Sequence, residues 1–348
     1  MILIASSAGE RGSFDWLHGD AAIAIVGICK NAGKTSLLNH LLALRGEQVW
    51  GVFSTGIDGE ETDTVFKIPK PRVRLGPGII FCCDTPILDS HGSSVSVLEK
   101  LAFSAPLRPL WLAQSEIPIQ TEITGPATLS GQINALERMQ SLGAEKVLID
   151  GSLDRKSIAL SDAVDGVALL IGASFGSIPQ IIAELKRLEL LNRITAYSDT
   201  VKGYPEYCLL LDSEQVLVQR DKEWEPSGMA SLLGDEKELR ALLERPLRKI
   251  YIPGAITDAV FSRIKEPLQK AGPPIVLRHP DCLKLSYPKL EQFAKEFSAQ
   301  ALIPFKIRSF VLNSMSVGTQ TVDAAEFRGR LRGEFPHLDL PDIRELEI

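Results

Sequence analysis

Residues 27–36 read GICKNAGKTS, and this stretch decides how the rest of the chain is interpreted. An apolar run from Ala21 to Val26 precedes it, and leucines at helical spacing follow it from Leu37 to Leu44. The local order is therefore strand, glycine loop, helix. In such a loop the backbone N–H groups surround phosphate oxygens, a lysine neutralises their charge, and the helix N-terminus adds partial positive charge. The stretch predicts a phosphate-binding loop.

The expected roles of the loop residues follow from that chemistry. Lys34 is the predicted phosphate ligand and catalytic cation, and Thr35 is the predicted magnesium ligand. The predicted nucleotide-binding set is Gly27, Asn31, Ala32, Gly33, Lys34, Thr35 and Ser36. The alternative is a strand-to-helix turn that contains Gly-Lys-Thr by chance. The flanking pattern favours a nucleotide site, with ATP and Mg²⁺ as the expected cofactors.

Two acidic residues that follow predicted strands are candidates for metal binding and catalysis. Asp58 comes after a strand over Val49–Ser54, and Asp150 ends an apolar strand that begins at Lys146. Open α/β sheets bind ligands outside the carboxyl ends of their strands. We therefore predict that Asp58 and Asp150 join Thr35 at Mg²⁺, either directly or through water, and orient the metal or water for catalysis. A solvated acidic turn at Asp58 and a plain Asp-Gly turn at Asp150 are the alternatives.

Composition narrows the class of protein. The length of 348 residues suits two domains, and a hydrophobic content of 45% is enough for packed cores. A net charge of -6 without a dense Lys/Arg run disfavours nucleic-acid binding. The first residues lack the features of a signal peptide and no apolar run spans a bilayer, so we expect a cytoplasmic protein without a membrane partner. The five cysteines show no zinc spacing. Among them Cys29 lies in the loop, where an exposed thiol is oxidisable.

The order of predicted elements indicates an α/β fold. Strands and helices alternate over the first half of the chain, which favours a three-layer arrangement with a mainly parallel sheet. We expect an N-terminal extension at 1–20, a P-loop nucleotide-binding domain at 21–194 and a second α/β domain of unknown role at 195–348. No Pro/Gly/Ser linker marks the boundary.

Three further elements are predicted from short sequence patterns. The sequence predicts a short helix at Ser94–Leu101, and strands at Tyr207–Leu211 and Phe310–Asn313. The segment Asn313–Ser316 follows the last of these strands. It is interpreted either as the lining of a cleft or as a capped turn.

The spacing G-x5-G-K-T from Gly27, then Asp58, then a strand that ends at Asp150, resembles the dethiobiotin synthetase-like branch of P-loop NTPases. This resemblance implies a P-loop NTPase fold and a Mg²⁺ site formed by Thr35, Asp58 and Asp150. A ligase or kinase of this type, which transfers the γ-phosphoryl group to a small acceptor, is one of two functional hypotheses. The segment at 150–155 departs from the glycine-rich acidic loop of the biotin enzymes, which argues against their diaminopelargonate substrate.

A more specific likeness is carried by Thr55–Glu60, Pro69–Pro71, Leu148–Arg155 and Ile171–Ala173. Together they resemble the small reactivation-factor subunit associated with adenosylcobalamin-dependent lysine 5,6-aminomutase. This resemblance implies an ATP-dependent accessory protein that works with a partner ATPase on an aminomutase. We favour this second hypothesis because the chain has no acceptor signature and has an extra C-terminal half. ATP is expected rather than GTP because no Asn-Lys-x-Asp or Thr-Lys-x-Asp motif occurs. The sequence leaves open whether the chain forms a homodimer.

Overall fold

The computed structural model describes residues 14–55, 72–102, 108–151, 158–232, 236–316 and 322–346. The chain forms two compact units. The first unit comprises the residues up to Ile181 together with those from Ile307 onward, and the second comprises Ile182–Lys306. Within the described ranges, no helix has both the length and the apolar character that crossing a lipid bilayer requires.

The first unit opens with alternating strands and helices. Its strands in this part are β1 (Ala22–Gly27), β2 (Trp50–Ser54), β3 (Val73–Leu75), β4 (Ile80–Asp84), β5 (Val95–Lys100), β6 (Leu110–Ser115), β7 (Ile119–Thr121), β8 (Lys146–Asp150) and β9 (Gly166–Gly172). Its helices are α1 (Lys34–Ala43), α2 (Thr85–His91) and α3 (Leu129–Ser141), and α4 (Ile178–Asn192) follows β9 across the division between the units.

The second unit is a smaller α/β unit. Its strands are β10 (Leu217–Gln219), β11 (Trp224–Pro226), β12 (Lys249–Ile252), β13 (Ile256–Thr257), β14 (Ile275–Leu277), β15 (Leu283–Lys284) and β16 (Ala299–Ala301), and its helices are α5 (Pro205–Asp212), α6 (Glu236–Leu243), α7 (Asp258–Ala271) and α8 (Tyr287–Glu296). Five strands form a mixed sheet in the order β11-β10-β12-β14-β16. The chain then returns to the first unit with β17 (Ile307–Asn313) and α9 (Ala324–Glu334).

The large sheet of the first unit has eight strands in the order β17-β9-β1-β8-β2-β4-β6-β5. The six strands from β17 to β4 pair in parallel, whereas β6 is antiparallel to both β4 and β5. The sheet is therefore mostly parallel, which confirms the predicted α/β class. Strands β1 and β9 are apolar throughout, as expected for central strands covered on both faces. Helix α1 packs on this sheet through Leu37, Leu38 and Leu41, all fully buried.

Two predicted elements are wrong. The segment 94–101, predicted as a helix, contains the edge strand β5 (Val95–Lys100), because Val95 and Val97 pair with β6 in an antiparallel ladder that a local pattern does not reveal. Residues 207–211, predicted as a strand, lie in α5. Pro205 stands in the first turn of α5 and only one face of the helix is buried, which the run of apolar residues conceals.

The structure divides the chain differently from the expected boundary near residue 194. β17 pairs in parallel with β9, from Ile307 opposite Val167 to Asn313 opposite Gly172. Residues 307–346 therefore complete the sheet that contains the loop strand instead of belonging to the second unit. A sequence interpretation that keeps successive elements together cannot detect such a return, because the two paired strands are separated by the whole second unit.

Candidate functional site

Strand β1 lies where the order of strands changes direction. From β1 the chain runs to β2 and β4 on one side, and it later enters β9 and β17 on the other side. Because β1 pairs in parallel with β8 and β9, the carboxyl ends of these three strands lie at one edge of the sheet. Open α/β sheets bind ligands at such a switch point. The loop after β1 thus stands where a ligand is expected.

The loop from Gly27 to Gly33 is tightly wound. A Cβ atom at residue 27 would lie 2.6 Å from the Ala32 Cβ, so a glycine is needed where the loop folds back. Asn31 has a φ angle of 58° and Gly33 has a φ angle of 95°, both in the left-handed region. Glycine adopts this conformation without steric cost, and asparagine tolerates it better than most residues. The Asn-Ala-Gly sequence therefore suits the backbone of this loop.

Helix α1 begins at Lys34 with an uncapped N-terminus. Gly33 occupies the N-cap position without a side-chain cap, and the first turn contains no acidic residue. The Leu37 N–H donates to the Gly33 C=O at 3.1 Å. The N–H groups of Lys34, Thr35 and Ser36 come before this bond, and by position they have no acceptor within the helix. Together with the helix dipole, they form a terminus suited to an anion.

The sequence raised the option that the Cys29 thiol in the loop is exposed, and in the structure it is not fully exposed. Cys29 is half-buried, and burial raises its pKa, although the positive charge of Lys34 and a hydrogen bond from the Gly172 backbone act in the opposite direction. A Cβ at residue 172 would lie 3.0 Å from the Cys29 Sγ, so the end of β9 lies close to the sulfur. A thiol with a raised pKa stays protonated at neutral pH and reacts slowly.

Asp150 ends β8 next to the loop strand. It pairs with Ile25 of β1 on one side and with Ser54 of β2 on the other. Its C=O accepts a hydrogen bond from the Thr55 N–H at 2.8 Å, and the Gly151 N–H donates to the Ile25 C=O at 3.0 Å. The backbone of Asp150 is therefore fixed from both sides. Its carboxylate starts from the same edge of the sheet as the loop.

The other predicted acidic residue, Asp58, lies outside the described residues. It falls within 56–71. In the part of the chain that is described, no three His, Cys, Asp or Glu side chains gather as a metal site. Magnesium usually keeps several waters and binds through one or two carboxylates together with substrate phosphates. A partial ligand set at this edge is consistent with that preference.

The neighbouring carboxylate at this edge has a structural role. Asp84, at the carboxyl end of β4, is buried and accepts from the Ile87 N–H as the N-cap of α2. The Arg108 Nε donates to the Asp84 Oδ2 at 2.8 Å. Because the charge of Asp84 is paired and its oxygens are hydrogen-bonded, it stabilises the start of α2 and is a poor candidate for a metal ligand.

Two residues that belong to no loop motif lie against the loop. The Asn313 Nδ2 donates to the Asn31 C=O at 3.4 Å. A Cβ at Gly33 would lie 2.3 Å from the Ile343 Cδ1. The sequence left Asn313 open as a cleft residue, because a polar segment follows a predicted strand there. Ile343 gives no sequence signal, since it is an isolated apolar residue remote from the loop in the chain.

Comparison of the chain with models of known protein families, with curated proteins and with solved structures found no match. The class of protein is therefore inferred from the loop and its surroundings.

Proposed function

We propose that this chain is a Mg²⁺-dependent, ATP-binding P-loop ATPase. The observation that carries the proposal is the glycine-bounded loop between β1 and α1. It combines an uncapped helix N-terminus, a lysine in the first turn and a position at the switch point of a mostly parallel sheet. These three features together are typical of sites for nucleotide phosphates.

Binding of the β- and γ-phosphates follows from the donors that this loop offers. The N–H groups of Lys34, Thr35 and Ser36 and the Lys34 ammonium provide four hydrogen-bonding groups for anionic oxygens. Hydrogen bonds to charged groups contribute about 1.5–3 kcal/mol each. The summed free energy of four such hydrogen bonds exceeds the roughly 4 kcal/mol that separates millimolar from micromolar affinity. The loop alone therefore supplies enough interaction for useful nucleotide affinity.

Thr35, in the first turn of α1, and Asp150, at the carboxyl end of β8, would hold a magnesium ion that accompanies the nucleotide, with Asp58 as the further predicted ligand. Bound there, the ion would neutralise charge on the β- and γ-phosphate oxygens. The Lys34 ammonium acts on the same oxygens and stabilises the charge that develops on them during transfer. The carboxylate of Asp150, or that of Asp58, orients water toward the terminal phosphate. The assigned catalytic residues are thus Lys34, Asp150 and Asp58.

The proposal includes an accessory role, in which hydrolysis drives a conformational change in a partner enzyme. Its support is the resemblance of Leu148–Arg155 and Ile171–Ala173 to the small reactivation-factor subunit, together with the lack of an acceptor signature in the sequence. A cobalamin-dependent aminomutase and its partner ATPase are the candidate partners.

Nucleotide titration of the full chain tests this proposal. We expect calorimetric binding of ATP that is tighter with Mg²⁺ than without it and tighter than binding of GTP. Hydrolysis should rise when the partner protein is added. If neither nucleotide binds, the proposal is rejected. If the isolated chain instead phosphorylates a small metabolite rapidly, the accessory role is rejected in favour of the ligase or kinase hypothesis.

The substitution Asp150→Asn tests the catalytic assignment. We expect it to lower turnover by about 100-fold, the lower range for loss of a positioned acid–base group, with a much smaller change in ATP affinity. The control Asp89→Asn removes an exposed carboxylate on α2 and should change neither value. Equal losses of turnover and affinity in Asp150→Asn would contradict a role in the transition state.

A further inference from the structure

Two side chains from the last part of the sequence contact the loop between β1 and α1. We call this pair, Asn313 and Ile343, the loop support. Asn313 ends β17, which lies two strands away from β1 in the sheet. Ile343 lies beyond α9 and belongs to the same buried cluster as Leu37 of α1. The conformation of the loop therefore depends on residues about three hundred positions further along the chain.

The Asn313 amide is bonded at both of its ends. Its Nδ2 donates to the Asn31 C=O at 3.4 Å, and its Oδ1 accepts from the Met315 N–H at 3.1 Å. The side chain is only 5% exposed, so water has little access to these bonds. The C=O and the following N–H of a planar trans peptide point in opposite directions. Holding the Asn31 C=O toward Asn313 therefore turns the Ala32 N–H away from Asn313.

This orientation matters for an anion. The peptide between Asn31 and Ala32 can present either its N–H or its C=O to the side of the loop away from Asn313. An N–H attracts a phosphate oxygen, whereas a C=O repels it. The Asn313 amide selects the first of these two orientations, because its Nδ2 group can only donate and therefore pairs with the Asn31 C=O but not with an N–H.

Ile343 fixes the position of Gly33 by contact. A Cβ at residue 33 would lie 2.3 Å from the Ile343 Cδ1 and 2.8 Å from the Asn313 Nδ2. The Ile343 N–H donates to the Leu312 C=O at 2.9 Å, and the Leu312 N–H donates to the Pro341 C=O at 2.8 Å. The segment that carries Ile343 is therefore attached to β17 and cannot move independently of it.

A buried ion pair anchors the same segment. Asp342 is fully buried, and the Arg328 Nη1 of α9 lies 3.2 Å from its Oδ2. The Ser314 N–H donates to the other oxygen of Asp342 at 3.3 Å. Because Ser314 directly follows Asn313, the anchor and the loop support share one stretch of backbone. Removing either partner would leave the other charge without its counterion, so the pair resists separation of α9 from this segment.

We infer that Asn313 is a positioning residue that keeps the Ala32 N–H available to a phosphate group, and that Ile343 holds Gly33 in the matching position. The nature of the ligand rests on the proposed function, whereas the effect of the support on the loop does not. The support makes the anion site ready before a ligand arrives, so it acts on affinity rather than on chemistry.

The experiment compares Asn313→Ala with Asn39→Ala. Asn39 is a matched control because its amide is also buried and hydrogen-bonded to backbone at both ends. Its Nδ2 donates to the Arg72 C=O at 3.1 Å, and its Oδ1 accepts from the Arg74 N–H at 2.8 Å. Two readouts are taken on the full chain: the affinity for magnesium pyrophosphate by calorimetry, and hydrogen exchange of the amides at 28–37 in ligand-free protein. Pyrophosphate reports on the loop alone, without a nucleoside.

We expect Asn313→Ala to weaken pyrophosphate binding about fivefold to tenfold, as for loss of one hydrogen bond, and to speed exchange in the loop. Asn39→Ala should lower stability by a similar amount without either effect. Ile343→Ala should also speed loop exchange more than Leu346→Ala, which removes a neighbouring side chain of the same buried cluster.

The outcomes separate the inference from the proposed function. If Asn313→Ala and Asn39→Ala give the same affinity and the same loop exchange, the positioning role is overturned. If the wild-type chain binds neither pyrophosphate nor ATP, the proposed function fails, and faster loop exchange in Asn313→Ala would still establish the support. If wild-type binding is present but loop exchange does not respond, the support is overturned while the proposed function stands.

Discussion

The N-termini of α1 and α7 solve the same problem in different ways. Both helices follow a strand that pairs in parallel with a neighbour. In α7 the Thr257 Oγ1 accepts from the Val260 N–H at 3.4 Å, and Asp258 places negative charge in the first turn. In α1 Gly33 stands at the N-cap without a side-chain cap, and the first turn has no acidic residue. In α7 a side chain caps the first turn, whereas in α1 no side chain does.

The difference between the two N-termini is a difference in capping. Relative to glycine, a capping side chain contributes only about a few tenths of a kcal/mol to stability, so its absence at Gly33 is a small local cost. An anion bound at α1 would offset that cost with the same donors. Substitutions at the two helices should therefore separate ligand affinity from folding stability.

The largest effect is expected at Gly33. Gly33→Ala forces a side chain into the left-handed region and against Ile343, whose Cδ1 lies 2.3 Å from the added Cβ position. We expect ATP affinity to fall by at least about 100-fold and stability to fall by about 1–3 kcal/mol, the usual range for such strain. Calorimetry and urea unfolding measure the two values.

Gly46→Ala is the control for this substitution. Gly46 has a φ of 64° but meets nothing within 4 Å of an added Cβ. It should lose stability from backbone strain and retain ATP affinity. Equal losses of affinity in both variants would show that the contact at the loop is unimportant.

Lys34 should give the next largest effect. Lys34→Ala removes a cation at the start of α1, and we expect ATP affinity to fall by about 10- to 150-fold, equivalent to about 1.5–3 kcal/mol, with the fold intact. Lys30→Ala removes an exposed lysine of the same loop and serves as a charge-matched control. Unchanged ATP affinity in Lys34→Ala, measured by calorimetry, would remove the nucleotide site from consideration.

A pH titration extends the comparison to the second unit. Burial, assisted by the positive charge of Lys284, lowers the pKa of His279 to about 3. In the unfolded chain a histidine has a pKa of about 6.5, so the unfolded state binds more protons between these values. The contribution of His279 is therefore complete above pH about 6.5 and is lost as the pH falls toward 3, by at most about 1.4 kcal/mol per pH unit.

The measurement is the free energy of unfolding of the second unit, obtained from urea unfolding at a series of pH values. His279→Gln, which cannot be protonated, should flatten the slope below pH about 6.5. A slope that is identical in the variant would mean that other groups cause the acid sensitivity.

The smallest effect is expected at the capped helix. Thr257→Ala removes the acceptor for the Val260 N–H, and we expect a stability loss of about 1 kcal/mol. ATP affinity should not change, because α7 contributes no residue to the proposed nucleotide site. Thr257→Ser keeps a hydroxyl acceptor and should restore most of the stability. A fall in ATP affinity in Thr257→Ala would contradict the contrast between the two helices.

The parts of the site that depend on local sequence could be predicted. The loop after β1 and the start of α1 follow from glycine spacing and flanking periodicity. The placement of Asp150 follows from the rule that parallel strands share a carboxyl edge, since a buried strand delivers it there. These features each depend on a few neighbouring residues. Asp58 stays a prediction because it lies outside the described residues.

The remaining features depend on pairing across the chain. The helix predicted over residues 94–101 is wrong, because the pairing of β5 with β6 does not show in a local sequence pattern. β17 was assigned to the second domain because the second unit separates it from β9 in sequence. Ile343 is informative only when its distance to Gly33 is known, and no periodic pattern surrounds it. Local propensity decides neither strand neighbours nor contacts of this kind.

The return of β17 to the first sheet has a consequence for biosynthesis. Ribosomes extend chains at about 5–20 residues per second, so Ile343 emerges roughly 15–60 s after Ser36. During that interval the nascent chain contains the glycine loop but lacks Ile343, and β9, once synthesised, has no neighbour on its β17 side until residues 307–313 emerge. A chain terminated before residue 307 would therefore lack both the loop support and the strand beside β9, and such an unpaired strand edge is a target for chaperones.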